Sequence, residues 1–174
     1  QNILDVISDN CKIIFPSTHV VYEGINEVKT DIKEDEVTKP ILSYSSSKAI
    51  NEDQLKKSKK NYVILRLGSV YGYSTDSMRI DIMPNLFSKI ASQNGTLKLF
   101  AAGRQIKSLV PLIDVARCFK FMEEKDDIKS DTFNLTKETL TVKEVAEICK
   151  KYNPKVILKE TNDEVPNLGF SLSN

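Results

Sequence analysis

Tyr44-Ser45-Ser46-Ser47-Lys48 is the stretch on which the reading of this chain turns. On a helix, 3.6 residues per turn bring Tyr44 and Lys48 onto one face, a turn apart. Phenol and ammonium then address the same bound molecule. An adjacent ammonium favours phenolate over phenol, which draws a tyrosine from its usual pKa of ~10 toward the range of a working acid/base. Such a pair needs a substrate hydroxyl to act on and a hydride carrier to act with. The spacing alone is common, so the neighbouring sequence decides.

Upstream, Pro40 restricts what precedes it, and Ser43 is placed to cap a helix running from about Tyr44 to Lys60. Lys56, Lys57, Lys59 and Lys60 fall at its C-terminal end, where positive charge suits the helix dipole. Lys12-Ile13-Ile14-Phe15 reads as a buried parallel strand followed by Pro16-Ser17-Thr18. Ligands of open α/β sheets bind beyond the carboxyl ends of strands. The two hydroxyls there suit either ligand contact or simple turn chemistry. Tyr62–Leu67 predicts a second buried strand, running into Gly68-Ser69-Val70-Tyr71-Gly72. With an amphipathic turn over residues 1–9, the order is helix, strand, helix, strand, which favours parallel pairing in an α/β fold.

The remaining chain continues the alternation. Ile82, Met83, Leu86, Phe87, Ile90 and Ala91 recur at helical spacing, with Gly95 beyond the end. Leu97–Phe100 is strand-like, Gly103–Gln105 a turn, and Ile106–Ile113 extended. Asp114 is expected to cap a helix carrying Val115, Ala116, Phe119 and Met122. Thr132–Leu135 is strand-like, Thr141–Glu144 a capping box opening another helix, and Val156–Leu158 a last strand. Residues 23–40, dense in charge, are expected to form a solvated flap, and 161–174 an irregular tail.

Composition narrows the classes. The 174 residues carry net charge +1, which gives no electrostatic reason to expect nucleic acid. No apolar run approaches the ~20 residues of a membrane span. The 3 Cys are far apart and without metal-ligand spacing, so reduced thiols in a cytoplasmic protein are expected. His19 is the only histidine, which excludes a multi-histidine metal site; no metal is expected.

Four segments now stand in one order: Phe15–Tyr22, Tyr44–Lys48 with Glu52 a turn later, Leu65–Gly72, and Gly103–Ala116. In that order and spacing they resemble the extended short-chain dehydrogenase/reductase family, the NAD-dependent epimerase/dehydratases of nucleotide sugars. The resemblance covers nearly the whole chain. It implies an α/β fold: the second half of a Rossmann-type parallel sheet with a small α/β substrate-binding subdomain. Residues 1–80 would hold the sheet and the Tyr-Lys helix; residues 81–174 would hold mostly the subdomain, with about 106–135 returning to the sheet. Tyr44, Lys48 and Thr18 would be the catalytic set. Tyr44, Lys48, Ser17, Leu67, Gly68 and Val70 would border NAD or NADP. Thr18, His19, Ser69, Tyr71, Gln105 and Lys107 would meet the nucleotide sugar, and two copies would pair through the Tyr44–Lys48 helix.

The departures from the family pattern carry their own expectations. Among 6 glycines none forms Gly-x-Gly-x-x-Gly or Gly-x-x-Gly-x-x-Gly, so the pyrophosphate-binding half is absent from these residues and the fragment is expected to be inactive alone. His19 and Val20 replace the Asp-Glu pair of the 4,6-dehydratase branch. Ser69 and Lys107 stand where the family has Asn and Arg, and lysine lacks arginine's bidentate fork. These two lean toward the rival reading, a non-catalytic binding or scaffold protein derived from the same family. His19 is either a substrate contact or a packed ring.

Overall fold

The apolar run after residue 61 lies at the centre of the fold. The computed structural model describes residues 2–76, 78–165 and 168–173. The elements in chain order are α1 (Asn2–Val6), β1 (Lys12–Thr18), a 3-10 turn (His19–Tyr22), β2 (Lys29–Ile32), α2 (Ser43–Lys57), β3 (Asn61–Leu67) and β4 (Ser69–Tyr71). Then come α3 (Met83–Ser92), β5 (Thr96–Leu99), a second 3-10 turn (Phe100–Gly103), β6 (Ile106–Pro111), α4 (Leu112–Glu124), β7 (Asp131–Leu135), β8 (Glu138–Thr141), α5 (Val142–Tyr152), β9 (Ile157–Glu160) and β10 (Phe170–Leu172).

β3 is the middle of a parallel sheet of order β1-β3-β7, with Lys12 opposite Asn61 through Thr18 opposite Leu67. Its side chains alternate, as a strand's must. Val63 and Leu65 join Phe119 and Met122 of α4, while Arg66 meets α2 through Glu52. A second core forms where Phe87 and Ala91 of α3 and Val145 and Ala146 of α5 cover Leu97, Leu99 and Leu109. Parallel pairs β4-β6 and β5-β9 lie there, with β8 antiparallel to β6. The α/β architecture with mainly parallel strands agrees with the sequence reading.

Several local expectations are corrected. The segment 23–40 is not a solvated flap. It contains β2, and Ile25 and Ile32 are buried with Val21 and Tyr22. The irregular tail likewise contains β10, which pairs parallel with β2 and buries Phe170 and Leu172; residues 166, 167 and 174 of that tail lie outside the described residues. With one apolar residue in β2 and two in the three-residue β10, neither strand is long enough to leave a periodic trace, and the pairing joins distant parts of the chain. Asp114 does not cap α4. It lies inside the helix and pairs with Arg117 at 3.0 Å, while Pro111 occupies the cap position. Neither does Ser43 cap α2, which begins after Leu42 without a cap from its own side chain and ends at Lys57. The Thr141 capping box is present as expected, with Glu144 answering it.

Candidate functional site

Parallel pairing of β1 with β3 brings Ser17 beside Arg66 and Thr18 beside Leu67, at the carboxyl ends of both strands. A cleft of about 530 Å³ opens there. Its lining includes Ser17, Thr18, His19, Tyr44, Leu67, Gly68, Ser69, Val70 and Lys107, together with Glu23, Arg79 and Ile82. Most of the expected site residues therefore share one cavity. Lys48, Tyr71 and Gln105 stand outside its lining.

Thr18 caps the 3-10 turn, its Oγ1 accepting from the Val20 amide at 3.4 Å. Its own hydroxyl hydrogen is not spent on a protein acceptor among the described residues. The Ser17 hydroxyl is committed to the buried ion pair behind it, donating to Glu52 Oε1 at 2.5 Å. Tyr44, in the first turn of α2, is 57% exposed at the mouth of the cleft. Lys48 lies one turn on. Its ammonium donates to the Pro16 carbonyl at 2.6 Å, 4.8 Å from the centre of the Phe15 ring and 5.9 Å from that of Tyr44. Burial pushes the Lys48 ammonium below its ordinary pKa.

On the far wall, the His19 Nδ1 is 2.9 Å from the Leu67 carbonyl, so Nδ1 carries the hydrogen and Nε2 is left as an acceptor. Burial pulls its pKa down to about 4; the Leu67 bond and Glu23 oppose this and the Lys107 charge adds to it. Its ring packs 5.7 Å from Phe170. Lys107 is driven below its ordinary pKa by burial, and its ammonium has no hydrogen-bond or ion-pair partner among the described residues. It also lines a side chamber of about 200 Å³ with His19, Glu23 and Phe170. A desolvated cation facing a cavity is a place for an anion.

Gly68 is required by a close approach. A Cβ there would sit 2.8 Å from the Ser108 carbonyl of β6, while its amide donates to the Leu135 carbonyl at 2.9 Å. This lets β4 leave β3 and join β6. Tyr71 turns away from the cleft. Its hydroxyl donates to Glu138 at 3.0 Å, and burial, aided by that carboxylate, raises its pKa to about 12. Gln105 gives its backbone carbonyl to Val142, and its Oε1 is buried without a partner among the described residues.

Sequence reasoning missed Glu23 and Arg79 as cleft residues. Arg79 lies in the linker before α3 and pairs with Asp81 at 2.6 Å, a local motif with no outward sign of a cavity. Glu23 was submerged in the charge of the supposed flap. The Glu carboxylate just before Gly24, where the chain must reverse, was the available signal. A Cβ on Gly24 would meet the Lys39 carbonyl at 2.5 Å.

The sequence profile of the NAD dependent epimerase/dehydratase family matches residues 1–136. No curated protein matches the chain. Among solved structures, the UDP-glucose 4-epimerase of Thermotoga maritima, solved with UDP-glucose, superposes at a TM-score of 0.80 with 22% identity, over 94% of this chain and 54% of that one. The UDP-glucuronic acid 4-epimerase of Bacillus cereus, in complex with UDP-glucuronic acid and NAD, gives 0.78 with 21% identity over 94% and 54%. A dTDP-glucose 4,6-dehydratase double mutant of Streptomyces venezuelae with NAD bound gives 0.75 with 19% identity over 98% and 53%. At these identities the likeness is one of fold. The chain spans about half the length of the structures it matches.

Proposed function

We propose a sugar-nucleotide reading of this site on one premise: the chain belongs to the NAD dependent epimerase/dehydratase family. In this reading it is the catalytic and substrate-binding part of an NAD(P)-dependent nucleotide-sugar epimerase or reductase. Residues 1–80 are the sheet-and-helix portion and 81–174 mostly the substrate portion, with about 106–135 returning to the sheet. The supporting observation is the single cleft of about 530 Å³ that Thr18 and Tyr44 both line at the carboxyl ends of β1 and β3.

The groups present suit one end of the cofactor only. Tyr44, Lys48 and the backbone from Leu67 to Val70 fit a ribose and a flat ring, whereas none of the 6 glycines forms a pyrophosphate-binding turn. When bound, the nicotinamide supplies the hydride acceptor. The chain's own residues orient and move the proton. Tyr44 Oη takes it from a sugar hydroxyl that Thr18 holds by hydrogen bond. Lys48, beside the phenol, holds the ribose side. Lys107 faces the diphosphate, and Ser69 and His19 face the sugar nucleotide. Two copies pair through α2, whose outer face carries Ile50 at 57% exposure.

Two measurements test this. Titrated with NAD, the chain alone should show no saturable binding in the micromolar range and no turnover; micromolar affinity would contradict the division of labour. In a protein joining this chain to a Gly-rich dinucleotide-binding half, Tyr44→Phe should abolish hydride exchange and leave NAD binding nearly intact. Turnover that survives the substitution removes Tyr44 from its role. A non-catalytic binding protein of the same family would bind the nucleotide sugar without hydride exchange even with Tyr44 present.

A further inference from the structure

We infer that Glu23 is a positioning residue for Tyr44: its carboxylate, supplied by a different segment, fixes the start of α2 relative to the Thr18 turn. The inference rests on the reading of Tyr44 as the proton-transfer group. Helix α2 opens at Leu42 with no side-chain cap of its own. The two amides just ahead of the helix and a hydroxyl in its first turn are held by one carboxylate, whose charge the helix dipole also favours there. Here one oxygen serves. Glu23 Oε1 accepts from the Ile41 amide at 3.0 Å, from the Leu42 amide at 2.7 Å, and from the Ser45 hydroxyl. Tyr44 lies between Leu42 and Ser45, so the tether points on either side of it end at the same atom.

The other end of the link is Thr18. It caps the 3-10 turn His19–Tyr22, and the Glu23 amide closes that turn onto the Val20 carbonyl at 3.0 Å. The connection is braced by two backbone bonds of 2.8 Å, Lys39 to Val21 and Gly24 to Lys39. Thr18 and Tyr44 come from separate segments, and a hydroxyl and a phenol that share one substrate oxygen tolerate little misplacement. A short turn ending in a fixed carboxylate sets their spacing. Glu23 itself lines the cleft wall, whose other charged or titratable side chains are His19, Tyr44, Arg79 and Lys107.

The test uses the 174-residue chain with isotope-labelled backbone and tyrosine rings, the Tyr44 signals being assigned by Tyr44→Phe. Glu23→Ala should speed exchange of the Ser46 amide, which bonds the Leu42 carbonyl at 2.9 Å, by at least tenfold and move the Tyr44 ring resonances. Amides of β3 and α5 should change less than twofold. Glu23→Gln keeps a neutral acceptor and should restore most of the protection and the ring positions. If Glu23→Ala fails to fold, Ser45→Ala removes one donor and should give a smaller shift of the same signals. Unchanged Tyr44 signals, or equal acceleration throughout the chain, overturns the inference. Adding UDP-glucose separates the two readings. If no resonance from Thr18, Tyr44 or Lys107 moves, the proposed function falls while the ligand-free exchange data still decide the role of Glu23.

Discussion

Arg66 grips Glu52 with Nε at 3.1 and 3.2 Å and Nη2 at 2.7 Å, and both side chains are 2% exposed. The pair ties β3 to α2 directly behind the cleft, and Ser17 donates to the same carboxylate. Arg66 also reaches the Tyr22 hydroxyl and the Glu34 carbonyl. Removing one partner of a buried pair strands the other charge, so Glu52→Gln should destabilise the chain by about 3–5 kcal/mol. Urea unfolding monitored by circular dichroism measures this, and a loss under about 1 kcal/mol would show the pair to be well hydrated.

Stability should fall on mild acidification because of His19. Its folded pKa, pulled down by burial to about 4, lies below the unfolded value of about 6.5. The unfolded state therefore binds the extra proton first. The contribution is complete above pH 6.5 and is lost as pH falls toward 4, by up to about 3 kcal/mol. Unfolding midpoints compared between pH 6.5 and 5, above the range of most carboxylates, should drop for the parent chain and flatten in His19→Gln. Parallel curves for the two would contradict the assignment.

The turn before β6 stores strain. Ala101 and Ala102 adopt φ of 47° and 54°, a left-handed conformation that costs alanine about 1–2 kcal/mol per residue. Ala102→Gly relieves this at a cost of about 0.4–1 kcal/mol in unfolded-chain freedom. The net expected gain is about 0.5–1 kcal/mol, whereas Ala102→Val should lose more than that. Thermal melts of the two variants should move in opposite directions.

Lys107 should govern anion affinity. If the proposed nucleotide-sugar site is right, charge-assisted hydrogen bonds to a phosphate contribute about 1.5–3 kcal/mol, and Lys107→Met should weaken binding of UDP-glucose, used as the probe, roughly 10- to 150-fold. Isothermal titration calorimetry reads this directly. Equal affinity in both proteins would move the diphosphate elsewhere in the cleft.

Much of the fold was readable because its signals are local. Buried strands announce themselves as apolar runs, as at Tyr62–Leu67, and the Thr141–Glu144 box signals its helix within four residues. Ser17, Thr18, Tyr44 and Gly68 were singled out for the same reason: each sits at a strand end or helix start. Glu23, Arg79 and the β2–β10 pair were not, because what defines them is a contact between distant segments. Tyr71 is the reverse case. Its place in a glycine-flanked segment suggested a ligand contact, whereas its hydroxyl is held by Glu138 of β8, outside the cleft lining.

From the sequence alone came the order of helices and strands, the parallel sheet they favour, the family, and the short set of side chains with useful chemistry. The elements follow from periodicity or spacing within a few residues; the family and the site roles follow from the resemblance of four segments in order. The three-dimensional arrangement decided which of them face one cavity, that β10 pairs alongside β2, and that a carboxylate from another segment bonds the start of α2. Those outcomes depend on which distant surfaces pack together, a choice made by burial and hydrogen-bond satisfaction across the whole chain.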